Sequence, residues 1–377
     1  MARPAPLLDD LAQLVSLPSV SRDPCGPVAD WMAERCEALG MHVTLVPSGP
    51  GKVNVLASAG PPGTDGLVLS GHMDVVPTEG QPWTSDPFRL TERDGLLYGR
   101  GAADMKGFLA CTLRALAAAP LHRLRRELLL VWTCDEEIGC FGSAAVASRL
   151  VEDGRPVPRA CLIGEPTGFR VLRMHPGHVQ VSVTVGGRAA HSSRPDLGIN
   201  AIEAAAEVVL LCRELGAQLA DEADARGEPR VVLNVGRIHG GAAINIVPDR
   251  CVVELGYRPQ PGGDDHAVLR RLRALLADRL AGSGCTIGAT CDAVVPTLHT
   301  PSGTALAALL APHAAPGDEA ATFATDGGNL ARAGMEPLVF GPGAIEVAHQ
   351  ADEHVARADL ERAVGVIGDL VAARCLT

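Results

Sequence analysis

Apolar and polar positions along the chain predict a series of strands, most of them followed by a helical segment. Three runs, at residues 67–72, 128–133 and 160–163, are almost wholly apolar, as expected for strands buried on both faces of a sheet. Mixed or shorter runs predict further strands at residues 41–46, 53–57, 96–98 and 337–340. Helical spacing predicts helices over residues 7–15, 28–39, 104–119, 143–150 and 358–372. This succession indicates an α/β fold with a mainly parallel sheet flanked by helices.

The middle of the chain has a different pattern. Residues 179–185 alternate apolar and polar positions, which predicts a half-exposed strand. Further strands are predicted at residues 231–238 and 251–257, and helices at residues 199–215 and 265–280. Because a chain of 377 residues usually folds as more than one domain, we expect an inserted α+β domain at residues 179–290. It interrupts the larger α/β domain, which we expect to comprise residues 1–178 and 291–377.

Composition and charge narrow the function. Hydrophobic residues make up 47% and charged residues 20% of the sequence, as in ordinary globular proteins. The formal net charge of −11 and the lack of a basic run argue against nucleic-acid binding. No apolar run reaches the roughly 18 residues that would cross a membrane, and the start of the chain lacks the pattern of a signal peptide. The 11 scattered cysteines are interpreted as small buried apolar residues. We therefore expect a cytoplasmic protein that acts on a small molecule.

Potential metal ligands and bases follow the predicted strands where each one ends. His72 ends the first wholly apolar strand, and Asp74 comes two positions later. Three adjacent carboxylates, residues 135–137, follow the second strand, and Glu165 follows the third, where Pro166 keeps it extended. In parallel sheets, ligands bind at the carboxyl ends of the strands. We expect these residues to converge there: His72, Asp104, Glu136, Glu137, Glu165 and His349.

Two histidines with several carboxylates suit a pair of divalent ions, with zinc favoured and cobalt or manganese as alternatives. A carboxylate shared by the two ions, at a separation of roughly 3.5 to 4 Å, would hold a water between them and lower its pKa. Of Glu136 and Glu137, one can bind metal while the other takes a proton from that water, as amide hydrolysis requires.

Two other interpretations of these motifs are weaker. The acidic triplet could be a solvated loop, but the strand before it is almost wholly apolar, which favours a bound cation. The glycine-rich turn at residues 99–107 could bind a phosphate, but it contains neither Gly-x-Gly-x-x-Gly nor Gly-Lys-Ser/Thr. A nucleotide-dependent dehydrogenase is therefore excluded, and we expect the turn to present Asp104.

Five motifs, taken together, resemble those of the co-catalytic zinc peptidases and deacylases. That family includes acetylornithine deacetylase, succinyl-diaminopimelate desuccinylase and bacterial glutamate carboxypeptidases. The motifs occur in the family's order, and the resemblance extends from about residue 5 to the end of the chain. They are Gly71-His-Met-Asp-Val-Val-Pro77, Gly99-Arg-Gly-Ala-Ala-Asp-Met-Lys-Gly107, Asp135-Glu-Glu-Ile-Gly139, Gly164-Glu-Pro-Thr167, and the segment from Gly341-Pro-Gly343 to Ala348-His349.

The resemblance implies a role for each residue of the predicted cluster. The implied metal ligands are His72 and Glu165 for one ion, Glu137 and His349 for the other, and Asp104 as the bridge. Asp74 would orient His72. Glu136 would be the general base and then the acid that protonates the leaving amine. The resemblance also implies a cis peptide bond after Asp104.

The inserted domain resembles the family's lid, which usually forms a homodimer. Within Ala190-His-Ser-Ser193, His191 matches the histidine that reaches into the partner's active site and stabilises the oxyanion. Asn245 and Arg258 fall where relatives contact the substrate, and the Arg258 guanidinium could hold an α-carboxylate in a bidentate pair. Asn245 could equally belong only to a turn.

The resemblance favours N-acetyl-L-ornithine as the substrate, with release of L-ornithine and acetate as in arginine biosynthesis. Asp326 or Glu346 could bind the side-chain ammonium of ornithine at an acidic pocket edge. Residues 325–329, Thr-Asp-Gly-Gly-Asn, depart from the Thr-Glu-Ala expected of many such deacetylases. A desuccinylase or a carboxypeptidase-like peptidase is therefore the alternative. A noncatalytic metal-dependent binding protein is a more remote alternative, because a binding protein needs no base such as Glu136.

Overall fold

The computed structural model describes residues 7–317 and 319–377. In chain order the helices are α1 (Leu7–Ser16), α2 (Gly26–Ala38), α3 (Lys106–Ala118), α4 (Phe141–Asp153), α5 (Ala201–Arg226), α6 (Ala267–Arg279), α7 (Ala305–Leu310), α8 (Gly327–Arg332) and α9 (Arg357–Val371). The strands are β1 (His42–Gly49), β2 (Lys52–Ala59), β3 (Leu67–His72), β4 (Thr91–Arg93), β5 (Leu96–Tyr98), β6 (Leu128–Thr133), β7 (Ala160–Ile163), β8 (Met174–His175), β9 (His178–Gly186), β10 (Val232–Gly240), β11 (Arg250–Arg258), β12 (Thr286–Val295), β13 (Leu298–His299), β14 (Glu336–Val339) and β15 (His354–Ala356).

The chain forms two compact units. The first comprises the residues up to Met174 together with Leu298–Thr377, and the second is His175–Thr297. Six strands of the first unit form one sheet in the order β1-β2-β6-β3-β7-β14. The last four of these strands run parallel, whereas β1 and β2 pair antiparallel. This arrangement confirms the α/β fold with a mainly parallel sheet that the sequence predicts.

The central strands are apolar because helices cover both faces of the sheet. Every residue of β3, β6 and β7 is buried. Leu67 and Leu69 belong to one apolar cluster with residues of α1, α2, α3 and α9. Val68, between them, belongs to a second cluster with residues of α4 and α8. Successive side chains of a strand point to opposite faces, so the leucines and valines of these strands meet an apolar layer on either face, and each contributes roughly 1.5 to 3 kcal/mol by its burial.

The parallel strands bring their carboxyl ends to one edge of the sheet. His72 pairs with Thr133 where β3 and β6 end, and β7 ends at Ile163 beside them. Gly164 follows directly, and only glycine fits there, because a Cβ would lie 2.0 Å from the Phe108 ring on α3. The turns that follow these strands therefore start from one edge, as the positions of the predicted ligands require.

The second unit contains one antiparallel sheet in the order β10-β11-β9-β12, packed against α5 and α6. The sequence analysis did not predict β12, whose residues alternate between exposed and partly buried positions and include Gly288 and Asp292. The predicted boundary at residue 290 falls inside this strand. The unit itself extends from His175 to Thr297, a few residues beyond each predicted boundary.

The burial of His175 predicts a loss of stability in acid. Burial lowers the pKa of His175 from 6.5 to about 4. The unfolded chain therefore binds more protons below pH 6.5, and stability falls as the pH drops from 6.5 toward 4. Between pH 8 and pH 5 this one group should cost about 2 kcal/mol of unfolding free energy. The free energy of unfolding of the wild type and of His175→Asn should be measured with urea at both pH values. Between pH 8 and pH 5 the variant should lose about 2 kcal/mol less than the wild type. An equal loss in the two proteins would contradict the assignment.

Two expectations from composition can be compared with the structure. Among the described residues, no helix has both the length and the apolar character needed to cross a membrane. Every cysteine is free, and all except Cys285 and Cys291 are buried. The interpretation of the cysteines as small buried apolar residues is thus confirmed for most of them.

Candidate active site

His72 lies at the end of β3 and points one ring nitrogen into a group of carboxylates. Its Nδ1–H donates to the main-chain carbonyl oxygen of Asp74 at 2.9 Å. Its Nε2 lies 3.0 Å from Asp104 Oδ1 and 3.9 Å from Glu165 Oε2. Because Nδ1–H is the donor to this carbonyl, the lone pair of a neutral imidazole is on Nε2, which faces the carboxyl oxygens of Asp104 and Glu165. A cation at this point would satisfy all three groups.

Asp74 contacts His72 mainly through its main-chain carbonyl. Its carboxylate is farther from His72 Nδ1, at 3.7 Å, than its main-chain carbonyl. The carboxylate instead accepts from Ser21 Oγ at 2.7 Å and from the main-chain N–H groups of Glu136 and Glu137 at 3.2 and 3.3 Å. Asp74 therefore ties the turn after β6 to the end of β3.

Asp104 lies between two imidazoles. Its Oδ1 faces His72, and its Oδ2 lies 3.3 Å from His349 Nε2, which is also 2.9 Å from Glu137 Oε2. Ligand atoms of His72, Asp104 and Glu137 lie within 4.8 Å of one another. The peptide bond between Asp104 and Met105 is cis, which confirms that expectation.

The pKa values of the carboxyl groups in the site shift in different directions. Burial, with Asp104 adding to it, raises the pKa of Glu137 to about 7. The same two causes raise the pKa of Glu165 well above its ordinary value. Burial also acts on Asp104, but hydrogen bonds to His349 and His72 outweigh it and lower the pKa of Asp104. Hydrogen bonds to Asp104 and Glu137 raise the pKa of His349 to about 10.

The donor set fits divalent metal ions. Burial lowers the pKa of His72, but Asp104 and Glu165 outweigh this and raise it well above its ordinary value. Carboxylates buried this close together are stable as anions only beside positive charge. Two imidazoles and several carboxylates are the mixed nitrogen and oxygen ligands that zinc, cobalt and manganese accept.

Glu136 lies beside this cluster, and its carboxyl group contacts a cysteine instead of an imidazole. Its Oε1 is 3.6 Å from Cys140 Sγ, at the start of α4. Burial raises the pKa of Glu136 well above its ordinary value, and the negative charges of Glu137 and Asp326 add to the shift although His72 opposes it. A carboxyl group with a raised pKa is suited to accept and return a proton.

Asp326 is buried, whereas the sequence analysis placed it at a pocket edge. It is 1% exposed, and its Oδ2 accepts a hydrogen bond from Thr133 Oγ1 at 2.5 Å. Its Oδ1 is buried and has no hydrogen-bond partner among the described residues. Burial raises the pKa of Asp326. Glu346, the other residue considered for this contact, is exposed.

The second unit contains the remaining predicted residues. His191 is exposed, and its Nδ1 accepts from the main-chain N–H of Ser193 at 3.2 Å, so that Nε2 carries the proton of the neutral ring. Asn245 is exposed on the neighbouring turn, where its main-chain carbonyl oxygen accepts a hydrogen bond from the Ser192 N–H at 3.0 Å. Arg258, at the end of β11, lines a different feature, a surface cavity of about 440 Å³. The structure thus brings His191 and Asn245 together.

The sequence analysis missed buried residues that support the site. Arg100 and Glu353 form a buried ion pair at 2.6 Å beneath the turn that carries Asp104. Arg100 stands inside a quoted motif, and Glu353 follows His349 by four positions, but neither follows directly on a predicted apolar strand. Only their burial in the folded chain distinguishes them from surface charges.

Comparison with known proteins agrees with this geometry. Residues 68–373 match the profile of Peptidase family M20/M25/M40. An acetylornithine deacetylase of Myxococcus xanthus is 35% identical over 379 aligned positions, which cover 97% of this chain and 96% of that protein. The chain therefore belongs to peptidase family M20/M25/M40 and is a hydrolytic enzyme.

Solved structures share the fold. A tripeptidase of Staphylococcus aureus superposes with a TM-score of 0.75 at 19% identity over 97% of each chain. A dinuclear metal-binding peptidase of the M20 family from Bacillus subtilis superposes with a TM-score of 0.69 at 17% identity, again over 97% of each chain. At these identities the likeness concerns the fold.

Proposed function

We propose that the protein is a di-metal amidohydrolase that cleaves the amide bond of an N-acyl amino acid, with N-acetyl-L-ornithine as its substrate. The observation that carries this proposal is the arrangement of two imidazoles around one carboxylate, with the partly buried Glu136 beside them. The identity with the Myxococcus xanthus deacetylase over nearly the whole chain supports the choice of substrate. This activity would place the protein in the cytoplasm and in arginine biosynthesis.

The cluster at the sheet edge would hold two divalent ions, with zinc as the first candidate. The proposed ligands are His72 and Glu165 for one ion, Glu137 and His349 for the other, and Asp104 for both. When bound, such ions polarise the amide carbonyl and lower the pKa of a water molecule. Asp74 supports this set by accepting hydrogen bonds from the turn that carries Glu136 and Glu137.

Glu136 would carry the proton during the reaction. As a carboxylate it takes a proton from the attacking water, whose oxygen bonds to the acyl carbon. As a carboxylic acid it then gives that proton to the amide nitrogen, and the bond between this nitrogen and the acyl carbon breaks. The products are acetic acid, which then ionises to acetate, and the free amine. The raised pKa of Glu136 strengthens its carboxylate as the base in the first step.

A substrate panel tests the proposal. Amine release should be measured for N-acetyl-L-ornithine, N-succinyl-diaminopimelate and a dipeptide that ends in glutamate, each with the zinc-loaded protein. N-acetyl-L-norvaline, which lacks the side-chain ammonium, is the matched control for ornithine. We expect the highest kcat/KM for N-acetyl-L-ornithine and a lower value for the norvaline derivative. A preference for the succinyl compound or the dipeptide would keep the chemistry and reject the substrate, with Asp326 as the first residue to examine.

We also propose that the second unit forms a homodimer and supplies His191, Asn245 and Arg258 to the substrate. The exposed edge strand β10, with Val232 59% and Ile238 49% exposed, supports an interface there. His191 would donate its Nε2–H to the oxyanion that forms during water attack. Arg258 would pair with the substrate's carboxylate, and Asn245 would add a hydrogen bond.

His191→Ala should therefore lower kcat by about 100- to 1,000-fold, as expected when one oxyanion donor is removed. Light scattering coupled to size exclusion should show the mass of a dimer for this variant and for the wild type. His266→Ala, which removes another exposed histidine of the same unit, is the matched control and should retain wild-type kcat. An unchanged kcat in His191→Ala would show that the histidine is only structural.

A further inference from the structure

Residues outside the proposed ligand set connect the two loops that carry proposed ligands. Glu353 is 1% exposed, and its carboxylate accepts four hydrogen bonds. Its Oε1 accepts from the main-chain N–H groups of Ala103 at 2.9 Å and Asp104 at 3.0 Å. Its Oε2 accepts from Gly101 N–H at 3.1 Å and from the Arg100 guanidinium at 2.6 Å. The carboxylate therefore fixes the backbone of the turn that presents the shared aspartate.

The other end of the Arg100 guanidinium connects, through Gln81, to the loop that carries His349. Its NH2 group donates to Gln81 Oε1 at 2.6 Å, and the Trp83 indole donates to the same oxygen at 3.0 Å. Two donors on the oxygen fix the orientation of the Gln81 amide. Its Nε2 then donates to the main-chain carbonyl oxygen of His349 at 2.8 Å. His349 has φ +63°, a left-handed conformation that a side chain disfavours, so this bond helps to hold it.

We propose that Gln81, Arg100 and Glu353, together called the clamp, are positioning residues that set Asp104 and His349 against each other. Hydrogen bonds run from the backbone N–H of Asp104 through the clamp to the backbone carbonyl of His349. The side chains of these two residues then approach within 3.3 Å, which closes a ring of interactions. The inference rests on the proposed function, since it assigns the clamp to the geometry of the proposed metal pair.

Arg100 is difficult to replace in this role. Its guanidinium bonds to Glu353 with one nitrogen and to Gln81 with another, in the planar fork that only arginine has. Gln81 is uncharged and only partly buried, and when it is replaced Arg100 keeps its ion pair with Glu353. It is therefore the residue at which the clamp can be opened with least effect on folding.

The test compares Gln81→Met with the matched control Gln350→Met. Gln350 belongs to the same loop as His349 and donates to the carbonyl of Glu346 at 2.7 Å instead. Zinc affinity of the full-length proteins should be measured by competition with a chromophoric chelator. Gln81→Met should bind one of the two ions about 10- to 100-fold more weakly. Its kcat should be low at limiting zinc and recover in excess zinc, with little change in KM. Gln350→Met should behave as the wild type.

Several results would overturn the inference. Wild-type zinc affinity in Gln81→Met would show that the clamp does not position the ligands. An equal loss in Gln350→Met would point to general disturbance of the loop. Glu353→Gln should weaken zinc binding in the same direction, and the Gln81 variant decides the question if Glu353→Gln does not fold. Binding of fewer than two ions by the wild type would instead refute the proposed metal pair.

Discussion

Replacing Glu136 by glutamine is expected to lower kcat by about 100- to 10,000-fold while the bound metal stays in place. Glutamine keeps the shape of the side chain but cannot accept a proton from water or return it to the leaving nitrogen. In the part of the chain that the structure describes, the hydrogen bond of the Glu136 carboxyl is to Cys140 and not to either imidazole. Steady-state amine release from N-acetyl-L-ornithine and the zinc content of the same sample measure the two quantities.

The neighbouring carboxylate provides the control. Asp135 Oδ1 pairs with Lys52 Nζ at 2.6 Å, so Asp135→Asn should retain kcat close to that of the wild type. Wild-type kcat in Glu136→Gln would contradict the role of general base. Loss of zinc in Glu136→Gln would show that Glu136 is a metal ligand.

Replacing Asp104 by asparagine is expected to abolish activity and to weaken binding of both ions. The two oxygens of Asp104 face two different imidazoles, so a single residue serves both sides of the site. Asparagine offers one oxygen and no charge, while Glu137 and Glu165 stay buried and in need of positive charge. The loss of affinity should exceed the about 10- to 100-fold that is typical when a residue supporting a ligand is removed. Zinc content after dialysis and the rate of amine release measure these effects.

Asp65→Asn is the matched control for this change. Asp65 is exposed and precedes β3, at the end of the strand opposite His72. This variant should retain its zinc and its activity. Two tightly bound ions in Asp104→Asn would contradict the role of Asp104 as the shared ligand.

The sheet and the cluster of candidate metal ligands could be predicted because both depend on short-range patterns. β3 and β6 are continuous apolar runs, and a parallel sheet brings the residues after such runs to one edge. The sequence alone is therefore enough to group His72 with Glu137. Their distances to Asp104 and His349 agree with that grouping.

Other features depend on contacts between residues far apart in the sequence. Arg100 and Glu353 are 253 positions apart, and charged residues in a sequence are usually on the surface. The burial of Asp326 likewise follows from its contact with Thr133, 193 positions away. β12 was missed because its alternation includes Gly288 and Asp292, which are unfavourable in strands. Such features can be identified only from the folded structure.

Titration of the metal-free protein with zinc, with acetate release from N-acetyl-L-ornithine followed at each addition, tests the central claim most directly. The protein should be stripped with a chelator, and bound zinc should be counted at each point. We predict that activity is lost on stripping and reaches its maximum when two ions are bound per chain. Full activity in the stripped protein, or zinc binding that brings no acetate release, would contradict a di-metal deacetylase.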